Sequence, residues 1–77
     1  MPRRAGVMSK FVIKHMVLAT GEVDFLAQEP AQGSKDFLTV PGKERAMKIP
    51  KQVAEGISAQ MNGRFGNGSR RFEAEEA

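Results

Sequence analysis

Pro50-Lys51-Gln52-Val53-Ala54-Glu55-Gly56-Ile57-Ser58-Ala59-Gln60-Met61-Asn62-Gly63 is the stretch on which the fold turns. Proline suits the first position of a helix, where its missing amide proton leaves no bond unmade and its fixed φ is already helical. Val53, Ile57 and Met61 then recur at every fourth residue with Ala54 beside them, which makes one apolar stripe. Lys51 and Glu55 fall at i and i+4 on the outer side. Asn62-Gly63 reads as a left-handed stop. Gly56, inside the helix, lowers its propensity by roughly 1 kcal/mol relative to alanine, so it marks either close backbone approach or a weak helix.

A helix with one apolar stripe needs a surface to bury it, and the flanking segments read as strands. From Lys10 to Leu18 apolar residues dominate: Phe11, Ile13 and Val17 fall on one side with His15 between them, and Val12, Lys14 and Met16 on the other. Thr20-Gly21 is a turn, after which Val23, Phe25 and Ala27 alternate with Asp24, Leu26 and Gln28, so the two segments form a hairpin. Residues 30 to 35 are a loop by composition, a third strand is expected from Asp36 to Val40, and Pro41-Gly42 stops it. Lys43 to Ile49 reads as a turn of helix. Beyond the helix, Asn67-Gly68 is a type I′ turn signal, and Phe72 and Ala74 alternate with Arg71, Glu73 and Glu75 as a terminal strand.

The expected fold class is therefore α+β: a small antiparallel sheet in the order strand, strand, strand, helix, strand, with one amphipathic helix packed on one face. Seventy-seven residues hold one hydrophobic core. Residues 1–8 lack periodicity and read as a disordered arm, of which 1–7 are expected to be dispensable, and 9–77 as the domain. No apolar run is long enough for a membrane span, and a chain without cysteine has neither disulfides nor thiolate metal sites. A cytosolic location is expected.

The net charge of +3 is unevenly placed. All the lysines and arginines precede Phe72, whereas Glu73, Glu75 and Glu76 gather at the end. A basic body ends in an acidic tip, which suits attraction to phosphate or to an acidic protein surface.

Catalysis finds little support. His15 is the only histidine, and general-base chemistry needs a positioned nucleophile and an orienting group as well. Ser9, Ser34, Ser58 and Ser69 stand in no nucleophile-elbow pattern. Glu22 and Asp24 share one side of a strand, as do Glu73 and Glu75, but solvated strand residues explain both pairs, and no calcium-loop spacing is present. No enzyme activity, cofactor or metal is expected. Gly66-Asn67-Gly68-Ser69-Arg70-Arg71 has the composition of a phosphate-cradling loop without the helix that should follow it. With its neighbours, Arg64-Phe65 to Arg71-Phe72, it interleaves basic and aromatic residues in the manner of single-strand nucleic-acid binders; a hairpin whose phenylalanines reach the core explains it equally. Lys43, Arg45, Lys48 and Lys51 form a second basic cluster, which joins Arg70 and Arg71 if the helix start and the last hairpin lie on one side.

The runs FVIKHMV (Phe11 to Val17), VDFLA (Val23 to Ala27), ERAMKIPKQVAEGI (Glu44 to Ile57) and RRFEAEEA (Arg70 to Ala77) resemble, in style and order, the layout of very small phage and mobile-element proteins. Anti-CRISPR proteins are prominent among these. The resemblance implies a stoichiometric inhibitor that binds a host protein or ribonucleoprotein complex, such as a CRISPR effector complex, and blocks target DNA binding or nuclease recruitment. The basic body departs from the acidic DNA mimics of that class, although the acidic end, with Asp24, retains the charge to meet a lysine-rich groove. Partner contacts are expected at Lys43, Arg45, Lys48, Lys51, Arg64, Arg70, Arg71, Glu73 and Glu75. The alternative is an accessory protein of a phage or mobile element that binds nucleic acid directly.

Overall fold

The computed structural model describes residues 10–31, 33–66 and 68–77; the arm assigned to residues 1–8 and Asn67 of the Asn-Gly turn lie outside them. Strand β1 (Phe11–Val17) turns at Gly21, whose φ of 76° favours glycine, into β2 (Glu22–Leu26). A two-residue β3 (Thr39–Val40), a 3-10 turn (Lys43–Arg45), helix α1 (Lys51–Phe65) and strand β4 (Arg70–Glu76) follow. The four strands form one antiparallel sheet in the order β3-β2-β1-β4. The expected α+β class and element order are present. The third strand is shorter than Asp36 to Val40: Phe37 leaves the ladder for the core, and Pro41, which lacks an amide donor, ends the pairing.

Register decides what each face carries. Ile13 stands opposite Ala74, and His15 opposite both Asp24 and Phe72, so these side chains share the face under α1. There Ile13, Leu26, Ala54, Ile57, Met61 and Phe72 form the main core. The opposite face buries a smaller group, Val12, Phe25 and Ala46, flanked by Val40. β1 is thus covered on both sides. Residues 46–49 close the sheet where β1 and β2 diverge: the Met47 amide donates to the Leu26 carbonyl, and Phe11 and Ile49 exchange backbone bonds.

Three details of the helix differ from the sequence reading. Pro50 is the N-cap in extended conformation (ψ 156°), one residue before the first helical position, and its carbonyl accepts the Ala54 amide. The buried stripe is Ala54, Ile57, Ser58 and Met61, whereas Val53 is 44% exposed. Asn62-Gly63 does not stop the helix, which continues to Phe65 because two tertiary contacts outweigh the local signal. The Asn62 side chain donates to the Phe72 carbonyl (2.9 Å) and accepts the Phe72 amide (2.8 Å), and Phe65 packs on the core. Asn62 thereby satisfies main-chain groups on the open edge of β4, which would otherwise offer itself to another strand. Gly56 meets nothing that a Cβ would disturb, so close packing does not explain it. Among the described residues no helix is long and apolar enough to cross a membrane.

Candidate functional site

Strand β4 sorts its charges by the two-residue alternation of side chains. Arg71, Glu73 and Glu75 point to the face away from the helix, where Lys14 of β1 lies between the glutamates. Arg71 Nε meets Glu73 at 2.9 Å, Lys14 Nζ meets Glu73 at 3.9 Å and Glu75 at 3.3 Å, and Lys43 Nζ meets Glu75 at 2.6 Å. Lys43 also donates to the Glu76 carbonyl. The hydrogen bond from Lys43 holds the Glu75 carboxyl below its ordinary pKa of 4.5, against the opposing pull of desolvation and with help from Lys14. The acidic tip therefore lies against cations of its own chain, forming a ladder from Arg71 to Lys43.

The remaining expected contact residues go elsewhere. Lys48 folds back onto the 3-10 turn, its ammonium donating to the carbonyls of Lys43, Glu44 and Ala46. Arg45 and Lys51 are exposed, with no hydrogen-bond or ion-pair partner among the described residues. Arg70, on the helix side of β4, and Lys43, beside Glu75, stand at opposite ends of that strand, roughly 15 to 20 Å apart along it. The two basic clusters do not merge into one patch around Arg70.

Arg64 and Arg70 do come together, through phenylalanines. The Arg70 guanidinium sits over Phe37 at 5.6 Å, Phe37 meets Phe65 edge-on at 5.0 Å, and Arg64 sits over Phe65 at 5.1 Å. Phe72 and the His15 ring close the cluster from beneath. Arg64 also donates to the Ser34 carbonyl, tying the helix end to the loop between β2 and β3. Arg64 is exposed and the two upper rings are half-buried. Two planar cations thus lie on an aromatic floor at one end of the molecule. Guanidinium groups in this state keep their outward N–H donors available for phosphate or carboxylate. Phe37 is not identifiable from its neighbours in sequence, because its partners His15, Phe65, Arg70 and Phe72 are distant from it along the chain.

His15 belongs to the floor of this cluster. It is 6% exposed, and its Nδ1 donates to Asp24 Oδ1 at 2.7 Å, since a carboxylate is an acceptor only. Among the described residues Nε2 is buried without a hydrogen-bond partner, as is Ser58 Oγ. One ring nitrogen is thus bonded and the other is sealed from solvent. The Thr20-Gly21 turn expected from the sequence would set position 15 opposite 26; the loop is centred instead between residues 19 and 20, which sets it opposite Asp24. Among the described residues no three His, Asp or Glu side chains gather as a metal site.

Compared with known proteins, the chain matches no family model, no curated protein and no solved structure.

Proposed function

We propose that this chain is a non-catalytic binding protein of the bacterial cytoplasm that inhibits a nucleic-acid-processing complex of its host by stoichiometric docking. The observation that carries the reading is the pairing of Arg64 and Arg70 with Phe65 and Phe37 at one end of the fold. Arginine on an aromatic support is the kind of anchor that dominates interfaces, because its position is fixed before binding and little side-chain freedom is lost on contact. The sealed His15 argues in the same direction, against chemistry. The Arg71–Glu73–Lys14–Glu75–Lys43 ladder answers its own charges, which moves the acidic tip from principal contact to rim.

A narrower form of the proposal, resting on the resemblance of layout, makes the target a CRISPR effector complex, with target DNA binding or nuclease recruitment blocked. The test is capture from host lysate on the immobilised chain, followed by identification of the bound subunits. A nucleic-acid-processing complex recovered at one-to-one stoichiometry is the expected result. Recovery of no such complex, in any salt that keeps the chain folded, would remove the proposal.

A further inference from the structure

Beside the two arginines, the loop between β2 and β3 leaves two neighbouring hollows that share Pro30, each about 290 Å³. One is walled by Phe37, Leu38, Pro30 and Ala31, with the polar groups of Gln28, Ser34 and Asp36 at its margin. Leu38 is 58% exposed there, a large apolar side chain for which the fold itself supplies no cover. The other hollow is lined by Arg64 with Glu29, Gln60 and Pro30. Arg64 borders one hollow and, through the Ser34 carbonyl, touches the wall of the other, while Arg70 lies over the Phe37 ring.

A flat apolar shelf edged by hydrogen-bonding groups, next to fixed guanidinium cations, is chemically matched to a nucleotide unit. A base rests against Leu38, Pro30 and the part of Phe37 that Arg70 leaves open, and its phosphates reach Arg64 and Arg70. The charges order the two halves. Asp36 at the margin repels phosphate from the shelf and accepts a hydrogen bond from the N–H groups of a base edge, whereas Arg64 and Arg70 draw phosphate to the helix end, Glu29 beside Arg64 offsetting part of that charge. An acidic protein segment would satisfy the arginines but would leave Leu38 uncovered and bring carboxylates against Asp36. We propose that this end binds single-stranded nucleic acid, one base resting on the Phe37–Leu38 shelf with flanking phosphates on Arg64 and Arg70. This rests on the docking reading above, and makes the strand handled by the host complex, rather than its protein surface, the group contacted here. A duplex cannot insert a stacked and paired base into such a shelf, which makes single strands the preferred form.

The probe is a fluorescein-labelled oligothymidylate of about twelve nucleotides, within the range of single-strand-binding folds, followed by anisotropy; the chain has no Trp or Tyr to report binding itself. Saturable binding is expected, with log K falling against log salt at a slope of about −1.4, the value for two phosphate contacts on a single strand. Changing Arg64→Gln and Arg70→Gln together should weaken binding about tenfold or more, and Leu38→Glu about fivefold or more. Lys10→Gln, at the far end of the sheet from Arg70, should leave affinity unchanged. Leu38 is outside the core, so its variant keeps the test decisive should the arginine variant loosen the loop. No binding at low salt, wild-type binding by the arginine and Leu38 variants, or equal loss with Lys10→Gln would overturn the inference. Thymidine monophosphate competing as well as the strand would make the ligand a free nucleotide and overturn it too. If the chain captures a host complex yet binds no oligonucleotide, only this inference fails; if it binds the strand yet captures no complex, only the docking reading does.

Discussion

The two faces of β4 treat adjacent residues differently. Arg70 sits on the helix side, half-buried over Phe37, while Arg71 sits on the other face, 63% exposed and paired with Glu73. On the helix side, charge stands at the edge of an apolar core and is held by ring contacts; on the open side, cations and carboxylates alternate across two strands and compensate one another. The first arrangement leaves cationic donors directed outward. The second leaves little unbalanced charge to offer a partner. A run of like charges in a strand is therefore two half-runs, and its meaning depends on what each face already holds.

Stability should follow the same division. Ile57→Ala, beneath the helix, should destabilise by about 2–5 kcal/mol, much of what a domain this size possesses; Val53→Ala, on the exposed flank of the same helix, should fall within about 0.5 kcal/mol. Urea melts of the two variants would show a large gap, and equal effects would mean that the stripe is misplaced. Asn62→Ala should cost about 1–3 kcal/mol, because the Phe72 amide and carbonyl both lose their partner. Faster amide exchange at Phe72 is the accompanying sign, and unchanged exchange there would show that the edge needs no such cover.

The open face should respond weakly, and to acid. Glu75 titrates below 4.5 in the folded chain because of Lys43, so its contribution is present above that value and disappears as pH falls through the lowered one. The carboxyl is more than a third exposed, so solvent screening keeps the effect within about 0–1 kcal/mol. Glu75→Gln should lower stability slightly at about pH 6, and its difference from wild type should vanish as pH falls through the lowered pKa, where wild type loses the same interaction. A variant destabilised equally across that range would point to packing instead of charge.

Much of this fold is legible in the sequence, for physical reasons that differ by element. Ile57 and Met61 announce the helix because their spacing survives any reasonable choice of helix ends, and the β1–β2 hairpin follows from Thr20-Gly21. Val53 misleads because a four-residue step drifts around the helix, and the buried stripe is centred nearer Ala54 and Ser58. The true end of the helix depends on Asn62 finding Phe72 and on Phe65 finding Phe37, contacts between distant segments that no local pattern records. Of the candidate site, Arg64 and Arg70 are visible as a basic and aromatic run. Their separation from Arg71 follows from strand alternation alone, but Phe37 and Leu38 sit in a segment that reads as strand and only the fold brings them beside the arginines.

In the proposed function the helix-side arginines, and not their neighbour on the open face, meet the partner. Arg70→Glu and Arg71→Glu, each first shown to melt as wild type does, are to be compared in capture of the host complex. The expected result is that Arg70→Glu loses the complex, by about thirtyfold or more for an anchor worth some 2 kcal/mol, while Arg71→Glu binds within about threefold of wild type. Loss of capture by Arg71→Glu with retention by Arg70→Glu would contradict the account and move the interface to the charge ladder.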